Sequence, residues 1–128
     1  MPGTERKGWV MTDSALFIGW GTPVRGREAK SSSVFGEAVA LWTKLQGDGV
    51  IESWAAYFLE AHGGDLEGFF LLHGDRDKLA LARASEEMDH VIERAGMVVD
   101  RIGVVGALTG AQIESAMGRF LTNASELS

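Results

Sequence analysis

Histidine is the side chain that most readily changes charge near neutral pH, and the chain carries three: His62, His73 and His90. With Tyr57, the single tyrosine, they are its candidates for proton transfer or for a polar contact to a ligand. His62 opens the turn His62-Gly63-Gly64-Asp65, where it also reads as a solvent-exposed turn residue. His73 precedes Gly74-Asp75, where it could serve a local cap or ion pair. Arg25 and Arg101 are cations suited to a carboxylate or carbonyl oxygen, and Trp20 offers a broad apolar ring. Trp20, Arg25, Tyr57, His62, His73 and Arg101 are therefore the candidate ligand-binding residues. No Ser-His-Asp order stands out, and Ser31-Ser32-Ser33 reads better as the start of a helix, so no catalytic residue is assigned.

Two stretches resemble known chemistry and fail on detail. Gly21-Thr22-Pro23-Val24-Arg25-Gly26-Arg27-Glu28 has the glycine spacing of a phosphate-binding loop. Such a loop needs Lys and then Ser or Thr after the second glycine. Here Arg27 and Glu28 stand there; the carboxylate repels phosphate, and Pro23 lacks a backbone N–H. Glu87-Met88-Asp89-His90 fits the Glu-x-x-His spacing of di-iron helices. That site requires a second copy and two more glutamates on facing helices, and this chain has a single copy. The acidic run reads as a solvated helix face. No metal and no cofactor are expected.

Bulk properties narrow the class. At 128 residues, 45% hydrophobic and 23% charged, the chain suits one domain with a real core. A net charge of −6 argues against nucleic acid and anionic membrane as partners. The lack of cysteine excludes disulfides, thiolate metal sites and a cysteine nucleophile. No apolar run reaches spanning length, and Met1–Thr12 lacks the apolar segment of a signal peptide, so a cytoplasmic protein is expected.

These candidates depend on elements to position them. Residues 1–13 are polar and aperiodic and are expected to form a disordered tail. A strand from Ala15 to Trp20 ends at Gly21-Thr22-Pro23. A helix begins between Arg27 and Ser33, burying Val34, Phe35, Ala38, Leu41, Trp42 and Leu45 at spacings of three and four. Gly47-Asp48-Gly49 stops it. A long second strand, from Val50 to about Ala61, turns at His62-Gly63-Gly64-Asp65 into a third, Gly68 to His73. A helical region follows, capped by Asp77 or Asp75 and broken by a second cap at Ser85. A fourth strand starts near Val98 and runs through Ile102–Leu108. Beyond Gly110, a last helix carries Ile113, Met117, Phe120 and Leu121 on one side, which could dock onto a neighbouring molecule. The expected organisation is tail 1–13, an α+β domain over 14–110, and a C-terminal helix and tail over 111–128.

Strand–helix–strand twice over gives a ferredoxin-like βαββαβ domain, a four-stranded antiparallel sheet with its long helices on one face. A sheet with one wet face should alternate apolar and polar residues. These strands are apolar on both sides: Ala15, Phe17 and Gly19 against Leu16, Ile18 and Trp20; Phe69 and Leu71 against Phe70 and Leu72. Charge enters the second strand at Glu52 and Glu60, on the side of Trp54 and Phe58. Helices cover one face, so the other would expose an apolar patch of several hundred Å2, roughly the limit for a monomer. A second copy packed sheet to sheet would bury it.

In this element order and these two-sided strands, the chain resembles the dimeric α+β barrel superfamily. The resemblance covers Ser14 to Gly110 and implies a homodimer. The superfamily includes cofactor-independent monooxygenases, lactone isomerases, heme enzymes and proteins without known activity, so fold alone selects no reaction. In such a sheet Trp20, His62, the Arg25–Glu28 loop and Arg101 gather at one end, and His73 lies at the other, roughly 15–20 Å away. Trp20, Trp42, Trp54, Tyr57 and Phe58 fill the core and interface, or some of them line an apolar pocket. Gly19, Gly103, Gly106 and Ala107 leave room on the strands. Two functions remain open: binding or transformation of a small apolar or aromatic molecule without a metal, and a non-catalytic dimeric structural or regulatory module.

Overall fold

The computed structural model describes residues 14–128, so the tail expected at 1–13 lies outside the described residues. Four strands, β1 (Ser14–Trp20), β2 (Ser53–Phe58), β3 (Gly68–Gly74) and β4 (Gly103–Leu108), form one antiparallel sheet in the order β2-β3-β1-β4. The helices are α1 (Glu28–Gly47), α2 (Arg76–Arg83), α3 (Glu86–Gly96) and α4 (Ala111–Glu126). This is the ferredoxin-like α+β fold.

Cross-strand partners share a face of a sheet. The rows Leu16–Leu72–Trp54 and Ile18–Phe70–Ala56 therefore point the same way, towards α1, α2 and α3. They meet Ala38, Leu41, Trp42 and Leu45 of α1, Leu79 and Ala82 of α2, and Met88 and Val91 of α3 in a single core. The opposite rows are Phe17–Leu71–Ala55 with Val105, and Gly19–Phe69–Tyr57. Tyr57 is 47% and Val105 54% exposed on that second face. Helix α4 buries none of its residues and does not roof this face; Ile113, Met117, Phe120 and Leu121 stay exposed along it. Among the described residues, no helix is long and apolar enough to cross a membrane.

Two boundaries differ from the sequence reading, and a third is decided between its alternatives. Strand β2 is shorter than Val50–Ala61 at both ends: Val50 N and Ile51 N donate to Leu45 O and fold onto the end of α1, and residues 59–61 belong to the connection to β3. Ile51 is then a core residue at 2% exposure. Strand β4 starts at Gly103 rather than near Val98. Residues 98–100 instead pair with the β1–α1 loop: Val24 N donates to Val98 O at 2.8 Å, and Asp100 N donates to Thr22 O at 2.9 Å. The α2 cap is Asp75 and not Asp77: Asp75 Oδ2 accepts from Asp77 N and Lys78 N, both at 3.1 Å. The break at Ser85 is present, with Met88 N donating to Ser85 Oγ at 3.2 Å.

Candidate functional site

Aromatic side chains of the inner sheet face meet those of the helix above them. Phe70 is the hub. Its ring lies 5.1 Å from Trp20, 5.1 Å from Phe35, 5.6 Å from Trp42 and 6.3 Å from Trp54 between centroids. Phe35 continues to Phe58 at 5.3 Å, and Phe58 meets Trp20 edge-on at 6.1 Å. Trp20, Phe58 and Phe70 belong to the sheet, and Phe35 and Trp42 to α1, which also brings Ala38; α3 brings Val91, Ile92 and Ala95. Together they line a cavity of about 640 Å3 between sheet and helices. That lies within the range of small-molecule sites, roughly 300–1,000 Å3.

The seat of Trp20 is built by a glycine. Trp20 pairs across the sheet with Gly68. A Cβ at Gly68 would stand 2.7 Å from Trp20 Cζ2 and 2.6 Å from the Tyr57 carbonyl oxygen. The bare backbone lets the indole lie across β3 and wall the cavity.

The cavity wall is apolar inside and polar at its rim. Ser32, Phe58, Leu59 and Glu67 are exposed lining residues, whereas Ile18, Val34, Ala38, Trp42, Phe70, Val91 and Val98 are buried. The Ser31 hydroxyl is taken up by Glu28 O at 2.7 Å. Glu67 is the ionisable side chain of the lining, and no histidine, lysine, arginine or tyrosine joins it among the described residues. Such a lining holds a ligand by burial, dispersion and ring contacts. It offers no acid–base pair. No group of three or more His, Asp and Glu able to hold a metal occurs among the described residues.

Of the six sequence candidates, the structure brings Trp20 to the cavity. Tyr57 lies on the other sheet face, stacked on Phe69 at 4.9 Å, with Phe69 stacked on Phe17 at 5.0 Å. His73 shares that face, half-buried, at the end of the sheet where it pairs with Ala15 and Ser53. His62 is exposed in the β2–β3 connection, its Nδ1 2.9 Å from Glu60 O. Arg25 is exposed in the β1–α1 loop outside the lining. Arg101, at φ 56°, ties the strand approaching β4 to the hairpin through Nη1 to Asp65 Oδ2 at 3.4 Å, with both side chains about three-quarters exposed (72% and 74%). The cavity residues missing from that set are Phe35, Trp42, Phe58 and Phe70. For Phe58 and Phe70 the signal was parity within their strands, and for Phe35 and Trp42 the three-and-four spacing of the α1 stripe.

No family model matches the chain, and no curated protein matches it. Solved structures do. A dimeric protein of unknown function and ferredoxin-like fold from Bacteroides fragilis superposes with a TM-score of 0.55 at 10% identity, over 77% of this chain and 98% of its own. A protein of unknown function from Nitrosomonas europaea gives 0.56 at 19% identity, over 79% and 92%. A variant of SnoaB, a cofactor-independent oxygenase from Streptomyces nogalater, gives 0.52 at 17% identity, over 77% and 93%. At these identities the likeness is one of fold alone: the chain shares the ferredoxin-like architecture.

Proposed function

We propose that this protein is a homodimer, packed sheet to sheet, that binds a small apolar, ring-bearing molecule in the cavity between its sheet and helices. The carrying observation is the cavity itself, about 640 Å3 and walled by Trp20, Phe35, Trp42, Phe58 and Phe70. A core packed to ordinary density has few voids larger than a water molecule. A void of this size, opening at exposed Phe58, is better suited to a guest than to packing alone. The dimer is supported by the unroofed apolar face around Phe17, Tyr57, Phe69, Leu71 and Val105, and by the dimeric neighbour of the same fold.

Naphthalene is a suitable first probe, with thermal melting and tryptophan emission as readouts. A compound that binds only the folded state raises its stability, by about 2.7 kcal/mol at a hundred times its Kd. Trp20 and Trp42 line the cavity, so a bound ring alters their emission. A rise in Tm of several degrees with a saturable emission change is expected. No shift in either signal up to the solubility limit of naphthalene overturns the reading.

A further inference from the structure

A second cavity, of about 590 Å3, lies towards the other end of the inner sheet face and shares no lining residue with the aromatic one. The cross-strand pairs Leu16–Gly106 and Ser14–Leu108 of β1 and β4 contribute to it. Gly106 makes room: a Cβ there would meet no atom within 4 Å. The facing wall is one side of α2, where Arg76, Leu79, Ala80 and Arg83 recur at the three-and-four spacing of a single helix face. Gln112 of α4 joins the lining, its Nε2 donating to Ser14 Oγ at 2.8 Å.

The charge of this lining runs against that of the chain. The chain carries 18 acidic and 12 basic side chains, yet the lining holds two arginines and no carboxylate among the described residues. The Arg76 side chain has no ion pair among the described residues. Arg83 Nη2 donates to Val104 O at 2.8 Å, which carries the guanidinium across from α2 to β4, two residues from Gly106. That contact uses one of its five N–H donors. Both arginines are exposed, so a ligand in the cavity has access to them.

We propose that this second cavity binds a carboxylate with an apolar body, its head on Arg83 and its chain against Leu16, Leu79 and Leu108. Arg83 is already held at Val104 O, so less freedom is lost when it takes a ligand. Its remaining N–H groups suit the paired oxygens of a carboxylate. Arg76, two helical turns or roughly 10 Å away along α2, adds positive potential without a competing carboxylate in the lining. The leucines and alanines between the two cations reward an apolar chain by burial. The site is independent of the aromatic cavity and of the function proposed for it.

The test titrates octanoate and 1-octanol, a neutral chain of the same length, by calorimetry. The wild type is expected to bind octanoate saturably and at least tenfold tighter than 1-octanol. Arg83→Gln should remove that preference, and Arg83→Lys should keep part of it, because the charge remains and the fork does not. Gly106→Leu should abolish octanoate binding. Its backbone lies outside the left-handed region and the new side chain has space, so far-UV circular dichroism should be unchanged. If that variant fails to fold, the arginine pair of variants carries the test. Ala38→Phe, which fills the aromatic cavity, should leave octanoate binding as it is. No saturable octanoate binding, or equal binding of 1-octanol, overturns the proposal. So does octanoate binding that survives Gly106→Leu and is lost in Ala38→Phe; the ligand then belongs to the aromatic cavity, and the reading of that cavity stands.

Discussion

Arg94 grips both carboxylate oxygens of Glu37, Nε to Oε1 at 2.7 Å and Nη2 to Oε2 at 2.8 Å. This two-point contact joins α3 to α1, the two helices that roof the cavity, and its residues stand beside the lining positions Ala38 and Ala95. A forked guanidinium–carboxylate pair fixes orientation better than a single contact does. The hydrogen bonds from Arg94 hold the Glu37 carboxyl below its ordinary range, with the positive charges of Arg94 and His90 acting in the same direction. The folded protein therefore binds that proton less readily than the unfolded chain. The stabilisation is complete above the unfolded glutamate pKa, about 4.3, and is lost as pH falls through the depressed folded value. Glu37→Gln should melt below the wild type at neutral pH. The gap should narrow on acidification below about pH 4, where the wild type also loses its carboxylate. A gap that stays constant from pH 7 to about pH 3 would contradict this. Both side chains are partly exposed, so the neutral-pH gap is expected to be small and to shrink in high salt.

Gly68→Ala should be destabilising by about 1–3 kcal/mol, the usual cost of overpacking a tight site. The nearest atom its Cβ would meet is the Tyr57 carbonyl oxygen, part of the β2 ladder and unable to move aside. The next two belong to Trp20, so the substitution should also redden tryptophan emission and weaken naphthalene binding. Denaturant titration and emission spectra check it; an unchanged midpoint would remove the role given to this glycine.

Ala38→Phe separates cavity from core. Ala38 is 5% exposed and lines the cavity. A larger side chain there has space to enter, so Tm should hold or rise while naphthalene affinity falls at least tenfold. A large drop in Tm would mean that the site is already packed.

Val105→Glu addresses the other sheet face. Val105 pairs with Phe17 and is 54% exposed in the single chain, so the fold itself should tolerate the charge. Between two packed sheets the same carboxylate would be buried unpaired, at a cost of several kcal/mol. Sedimentation should show dimers for the wild type and monomers for the variant, with unchanged far-UV circular dichroism. A variant that sediments like the wild type would rule out this face as the interface.

Asp75→Ala removes the side-chain oxygen that receives Asp77 N and Lys78 N at the start of α2. The loss should be about 1 kcal/mol, read as a lower denaturation midpoint. Asp77→Ala should cost less, since Asp77 contributes its backbone N–H to this cap.

Much of the architecture was legible because local chemistry sets it. The glycine-rich turn at 62–65, the serine cap at Ser85 and the three-and-four spacing of Val34, Ala38, Leu41, Trp42 and Leu45 each depend on near neighbours in the chain. The errors fell where a distant partner decided. Residues 98–100 have strand-like composition, yet they pair with the loop at Thr22–Val24 and so lie outside β4. Val50 and Ile51 likewise bond to the end of α1, which no local pattern signals.

The candidate site divides in the same way. Alternation within each strand was enough to set Phe58 with Trp54 and Phe70 with Leu72, because side chains in a strand alternate by geometry; the register that brings Trp20, Phe58 and Phe70 to one face and Tyr57 to the other came from the pairing of the strands. Which face the helices would cover, and that Ala38 and Ala95 would join the rings in lining a void, depended on how α1 and α3 pack over the sheet. The sequence by itself determined the elements, their order and the two-sided apolar strands. Only the tertiary structure decided how α1 and α3 sit over the inner face, so that a cavity remains between them and the rings of the sheet. Packing across elements is a non-local sum of volumes, and no stretch of chain carries it alone.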